Sequence, residues 1–288
     1  MRTEHQNAHG LRFALRTQGA GPLCLLLHGF PDDAASMDPL ARRFAEAGYR
    51  AVAPFMRGYP PTQGPREPIT PELLAGDVAG LIAALGGGDP AVVIGHDWGA
   101  VAAYAAAILH PERVRAVIGL SVPPLPMLLA ALPRHPGQII AGAYMLRFNL
   151  PGAARRLRAG ELRVVDRLWA AWTPRWTPPA ERVAAVRATL AQPGAIEEAL
   201  SYYRALRRPA FYRSLTAPLP RPALVMAGAL DACIAPALYA DCPAAFAARH
   251  RLEFVPGAGH FLHVEAPDRV ANRALAFLRG LQSSRPGE

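Results

Sequence analysis

The chain contains no lysine. All 31 of its basic side chains are arginines, against 22 acids, and the formal net charge is +9 over 288 residues. So basic a balance invites a nucleic-acid reading. Yet the arginines gather mainly at Arg155-Arg156-Arg158 and Arg204-Arg207-Arg208, without a recognisable nucleic-acid motif. Abundant Ala, Gly and Pro beside Arg is also the composition that GC-rich codons produce, so no nucleic-acid partner is expected. Cysteine is scarce too. Cys24, Cys233 and Cys242 have no metal-ligand spacing and are odd in number, which excludes a disulfide framework and suits free thiols in a reducing cytoplasm. No apolar run reaches the ~18 residues of a membrane span. Met1 to Gly10 is polar, without the apolar stretch of a signal peptide.

What the chain does have is a large apolar share, 51% of residues with 18% charged and a mean hydropathy of +0.11. It can bury a sizeable core as one large domain or as a domain with an insertion. Residues 11–17 alternate apolar and polar, as in a half-exposed edge strand, and Leu23 to Leu27 form a run suited to a strand buried on both faces. A helix is predicted from about Met37 to Ala47, a strand over Arg50 to Pro54, and a helix over 71–85 with Pro71 in its first turn and Gly86-Gly87-Gly88 beyond its end. Val92 to Ile94 and Val114 to Val122 are further strands, so strand and helix alternate as in a parallel sheet with helices on both faces.

The alternation stops at Pro123 and resumes near Pro218. Between them, helical stretches are separated by proline-rich turns, and three of the four tryptophans, Trp169, Trp172 and Trp176, fall there. This reads as a helical cap over residues 123–216, inserted in a sheet domain of residues 1–122 and 217–288. Afterwards a strand over Pro222 to Gly228, a helix over 236–248, a strand over Leu252 to Val255 and a closing helix over Pro267 to Leu281 are expected, with a disordered tail after Ser283.

Gly95-His96-Asp97-Trp98-Gly99 sits where the third buried strand meets a small-residue helix running to about Leu109. Strand, sharp turn and helix with glycine on both sides form a nucleophile elbow. The apex is an acid, Asp97, not a serine, which turns the expected chemistry from acyl transfer to displacement at saturated carbon. Asp231, in Gly228-Ala229-Leu230-Asp231, and His260, in Pro256-Gly257-Ala258-Gly259-His260, follow the last two strands, at the carboxyl end where open α/β sheets build their sites. Nucleophile, supporting acid and histidine in that order match the α/β-hydrolase triad. Singly, such an Asp is more often a turn or capping residue, and such a His a hydrogen-bonded structural one. His96, His263 and Glu265 are read in that local role. The loop His28-Gly29-Phe30-Pro31 can present the Phe30 N–H, and the elbow helix that of Trp98, as two donors to an oxyanion.

These motifs, with Arg57-Gly58-Tyr59 and Gly259-His260-Phe261-Leu262-His263, resemble the α/β-hydrolase epoxide hydrolases over nearly the whole chain; haloalkane dehalogenases share the acid elbow. The resemblance implies an α/β-hydrolase fold with an inserted helical cap, and two cap tyrosines that hold the epoxide oxygen. Those match Tyr144, in Tyr144-Met145-Leu146-Arg147-Phe148-Asn149, and Tyr203, in Tyr202-Tyr203-Arg204; Tyr202 competes, since helix neighbours point about 100° apart. The chain departs from the family's pattern at Arg147, where an aromatic is common, and at Pro60, where Gly is usual. The implied reaction forms an alkyl ester on Asp97, hydrolysed by water that His260 and Asp231 activate, and releases a vicinal diol from a small apolar epoxide. Neither metal nor organic cofactor is implied, and homo-oligomerisation stays open. The competing readings are dehalogenation on the same nucleophile and a non-catalytic ligand receptor on the same scaffold.

Overall fold

In a computed structural model, which describes residues 2–239 and 242–282, the chain builds one eight-stranded sheet in the order β1-β2-β4-β3-β5-β6-β7-β8. The strands are β1 (Arg2–Ala8), β2 (Leu11–Gln18), β3 (Leu23–Leu27), β4 (Arg50–Pro54), β5 (Ala91–His96), β6 (Val114–Leu120), β7 (Ala223–Gly228) and β8 (His250–Val255). The β1–β2 and β2–β4 pairs are antiparallel and all others parallel. β3, β5 and β7 have every residue buried, as expected of strands covered on both faces. Helices α1 (Asp38–Glu46), α2 (Pro71–Leu85) and α3 (Trp98–Leu109) connect the first half. In α2, Thr70 caps the first turn by accepting the Leu73 N–H at 3.1 Å, and Pro71 follows where no N–H is needed.

From β6 the chain leaves the sheet through eight helices: α4 (Leu125–Ala131), α5 (Gly137–Ala141), α6 (Ala143–Phe148), α7 (Ala153–Ala159), α8 (Val164–Trp172), α9 (Ala180–Ala191), α10 (Ala195–Ala205) and α11 (Pro209–Arg213). After β8 come α12 (Leu262–Glu265) and α13 (Pro267–Gln282).

Three expectations need correction. The 11–17 segment is not the sheet edge, because β1 pairs outside it from Arg2↔Thr17 to Ala8↔Leu11. β1 (RTEHQNA) has almost no apolar residue, and backbone pairing alone makes it a strand. The expected helix over 236–248 is, among the described residues, two 3-10 turns, Pro236–Leu238 and Pro243–Ala245. Pro243 lacks the N–H a continuing helix would need and its ring would crowd the preceding turn. Finally, β6 ends at Leu120, where Ser121 turns the chain with φ +60°. The tail after Ser283 lies outside the described residues.

The strand order reverses around β3, whose neighbours are β4 on one side and β5 on the other. A switch of this kind opens a crevice at the carboxyl ends of the central strands. The loop after β3 and the turn after β5 meet there.

Candidate active site

Asp97 occupies the sharp turn between β5 and α3 with φ 51° and ψ −118°, a conformation that costs a non-glycine residue about 1–3 kcal/mol. Two glycines make the turn feasible. A Cβ on Gly99 would lie 2.2 Å from the Leu27 carbonyl oxygen, and one on Gly29 would lie 2.5 Å from Asp97 Oδ1. The packing thus brings the β3 exit loop directly onto the carboxylate. The Phe30 N–H donates to Asp97 Oδ1 at 2.8 Å. Trp98 is the first residue of α3, so its N–H has no intrahelical partner.

His260 faces the other carboxylate oxygen, Nε2 lying 3.8 Å from Asp97 Oδ2, and among the described residues no hydrogen bond occupies Nε2. Its Nδ1 is 2.9 Å from Asp231 Oδ2. The second oxygen of Asp231 accepts the N–H groups of Cys233 (2.8 Å) and Ile234 (3.0 Å), an Asx-type turn that fixes the carboxylate. The His260 backbone is equally fixed. Its N–H donates to the Trp172 carbonyl at 3.0 Å, and its own carbonyl accepts the Ser121 hydroxyl at 2.6 Å and lies 3.0 Å from His96 Nε2.

All three groups are buried, Asp97 at 7% exposure, Asp231 at 4% and His260 at 0%. Burial opposes charging His260, but the charge and hydrogen bond of Asp231, with the charge of Asp97, prevail and push its pKa up to about 10. Burial likewise opposes the Asp97 carboxylate, and His260 with the Phe30 N–H outweighs it, so Asp97 titrates below the usual carboxylate range. The resting pair is therefore carboxylate and imidazolium.

On the helical side, the neighbours Tyr202 and Tyr203 of α10 diverge. Tyr202 donates its hydroxyl to the Arg57 carbonyl at 2.9 Å. Tyr203 sits edge-on to Phe30, Trp98, Phe148 and Tyr144, with ring centroids 5.1–5.8 Å away, and its buried hydroxyl is without a hydrogen-bond partner among the described residues. Tyr203 thus packs on Phe30, whose N–H holds the Asp97 carboxylate, as well as on Trp98. Tyr144 of α6 stands beside it, its hydroxyl 3.8 Å from Cys233 Sγ. Burial first, then nearby groups that include Asp97, raise both phenols well above 10, so both keep their protons at neutral pH.

Several contributors carried no recognisable motif. Asp33 follows the His28–Pro31 loop and binds Arg182 (2.5 Å) and Thr189 (2.9 Å) of α9. Trp169 Nε1 donates to the Pro31 carbonyl at 2.7 Å. Two consecutive acids directly after a strand-exit motif were the available signal for Asp33; Ser121 and Cys233 offered none. His96, His263 and Glu265 do take local hydrogen-bonding roles: Glu265 accepts the Gly259 N–H at 2.7 Å, and His263 Nε2 lies 3.2 Å from Asp32 Oδ2 and from Ser36 Oγ. Among the described residues, Asp32, His96 and His263 are the one group compact enough for a metal ion, with donor atoms within 4.8 Å of one another. Those side chains are largely engaged with one another and with the His260 carbonyl.

A family model described as alpha/beta hydrolase fold matches residues 22–267. Epoxide hydrolase A of Mycobacterium tuberculosis is 31% identical over an alignment of 318 residues, covering 96% of both chains. An epoxide hydrolase of Caballeronia sordidicola is 45% identical over 117 residues, a stretch spanning 40% of this chain and 35% of that relative. The crystal structure of epoxide hydrolase A from Mycobacterium thermoresistibile superposes with a TM-score of 0.83 at 29% identity, covering 97% of this chain and 98% of the other. The chain belongs to the α/β-hydrolase family, in its epoxide hydrolase branch. No helix among the described residues is long and apolar enough to cross a membrane.

Proposed function

We propose that this protein hydrolyses small apolar epoxides to vicinal diols, with Asp97 as nucleophile, His260 as general base, Asp231 as its supporting acid, and Tyr144 and Tyr203 as donors to the epoxide oxygen. The observation that carries the reading is the series Asp231–His260–Asp97, at 2.9 Å and 3.8 Å, facing an otherwise unpartnered tyrosine hydroxyl. Residues 123–216 then act as a cap on a core of residues 1–122 and 217–288. Trp169 to Pro31, Arg182 and Thr189 to Asp33, and Tyr202 to Arg57 support that division.

In the first half-reaction Asp97 Oδ2 bonds to an epoxide carbon, the carbon–oxygen bond of the ring breaks, and the alkoxide takes a proton from a tyrosine. Oδ1, already held by the Phe30 N–H, becomes the ester carbonyl oxygen. Esterification removes the negative charge that held His260 protonated. The imidazolium therefore surrenders its proton, which replaces the one the phenol gave, and the neutral ring becomes a base.

In the second half-reaction His260 takes a proton from water, and the hydroxide adds to the ester carbon. The N–H groups of Phe30 and Trp98 hold the oxyanion; losing one such donor costs about 3 kcal/mol. Collapse expels the diol alkoxide, which takes the proton of the new Asp97 carboxyl. The starting carboxylate–imidazolium pair is restored, and the sum is epoxide plus water giving diol. An aromatic lining of Phe30, Phe148 and Trp172 around the tyrosines suits an apolar substrate.

Terminal, disubstituted and aryl epoxides assayed beside haloalkanes test the reading. Diol formation that vanishes in Asp97→Asn is expected. Halide release without diol would make the protein a dehalogenase, and tight epoxide binding without turnover a receptor.

A further inference from the structure

Glu112 and Glu161 bound a stretch without a single acid, although the chain has 22 acids in 288 residues. Codon bias accounts for the number of arginines but not for this segregation. Within it, α4 to α7 expose large aliphatic side chains: Leu129 (46%), Ile139 (67%), Ile140 (79%), Leu146 (71%) and Leu150 (54%). Among the described residues, these five make up most of the exposed large hydrophobics. Arg134, Arg147, Arg155 and Arg156 are exposed between them, and among the described residues none of the four forms an ion pair. Among the described residues of α4 to α7, Arg158 is the arginine that is paired, with Glu197.

We infer that this face docks on an anionic phospholipid membrane. Exposed aliphatics in such density mark a contact surface. The chemistry of the surround then selects the partner. In a two-fold dimer the patch would meet itself and set arginine against arginine. Nucleic acid would use the arginines, but Ile139, Ile140 and Leu146 offer bases no aromatic face on which to stack. An anionic bilayer satisfies both components, its phosphates taking the guanidinium groups and its headgroup–acyl boundary the aliphatics.

The placement also bears on the site. Helix α6 presents Leu146 and Arg147 outward, while Tyr144 and Phe148 pack inward against Tyr203. One helix thus separates the docking face from the tyrosine pair. An apolar substrate dissolved in lipid would reach the protein on the side where that helix lies. This delivery role rests on the epoxide reading; the membrane contact does not.

Flotation of the purified full chain with vesicles tests the contact. The chain should float with phosphatidylcholine vesicles containing phosphatidylglycerol, stay behind with phosphatidylcholine alone, and bind far less in ~0.5 M salt, where screening is nearly complete beyond a few ångströms. Arg134→Gln with Arg155→Gln should weaken partitioning about 25-fold, at about fivefold per arginine. Ile139→Glu with Ile140→Glu should abolish flotation while far-ultraviolet dichroism and hydrolysis of a short, water-miscible epoxide stay at wild-type level. Flotation that ignores lipid charge, or survives the double glutamate variant, overturns the assignment. So does a sedimentation dimer that the same variant dissolves, since a second copy would then own the patch. Intact flotation with no diol from any epoxide would leave the membrane contact standing and strike the epoxide reading alone.

Discussion

The Phe30 N–H donates to Asp97 Oδ1 at 2.8 Å, so one of the two carboxylate oxygens is held before any substrate arrives. The other, Oδ2, is the oxygen nearer His260 Nε2. In the proposed reaction this division gives different tasks to chemically identical atoms: Oδ2 to bond formation, Oδ1 to the developing oxyanion.

Removing the base should separate the two half-reactions. His260→Gln keeps a polar side chain of similar reach but cannot take a proton from water. Alkylation of Asp97 should proceed and hydrolysis should slow about 10²–10⁴-fold. Intact-protein mass spectrometry should then find an adduct equal in mass to the epoxide. In wild type, a single turnover in heavy-oxygen water should label Asp97 before the diol; label appearing first in the diol would mean direct attack by water.

The two adjacent tyrosines of α10 should respond in opposite ways. Tyr203→Phe removes an acid from the site and should cut kcat on epoxides by about 10² or more. Tyr202→Phe removes a hydrogen bond to the Arg57 carbonyl and should lower stability by about 1 kcal/mol while leaving turnover near wild type. Equal kinetic effects would refute the assignment.

Asp33 is 3% exposed and joins the β3 exit loop to α9 through Arg182 and Thr189. Arg182→Ala strips the cation from a nearly buried carboxylate, a loss that costs about 3–5 kcal/mol in comparable sites. Urea unfolding should report that loss. Because the same loop carries the Phe30 N–H, kcat should fall with KM little changed.

The pH dependence of stability should reveal the His260 pair. Folding raises its pKa to about 10, from about 6.5 for free imidazole. The folded chain therefore binds the imidazolium proton more tightly than the unfolded chain. The stabilisation is complete below pH ~6.5 and is lost as the pH climbs through ~10. The Tm of wild type should drop more steeply across that window than that of His260→Gln. Parallel curves would mean that the pair does not form.

How far the sequence reached depended on the range of the forces involved. Periodicity of apolar residues located β3, β4, β5 and β7, and the helices α2, α3 and α13, because each is fixed by local hydrogen bonding and by which face must be buried. The elbow was equally plain, since Asp97 between Gly95 and Gly99 reflects a backbone path that only small neighbours permit. β1 left no trace, because it carries no apolar pattern and its strand character comes from pairing with β2. The region after Asp231 misled, since its alanines favour helix while Pro236 and Pro243 begin separate turns.

Sequence alone determined the position and order of the candidate groups, Asp97, Asp231 and His260, because each follows a strand whose pattern is local. Tertiary structure decided what no spacing encodes. It turned Tyr202 to the Arg57 carbonyl and Tyr203 to Phe30, since which side of α10 faces which loop depends on how that helix rests on the sheet domain. It also joined Asp33 to Arg182, and Ser121 to the His260 carbonyl, across 149 and 139 residues of chain. Contacts between such distant residues arise only when the sheet closes, and no local pattern foretells them.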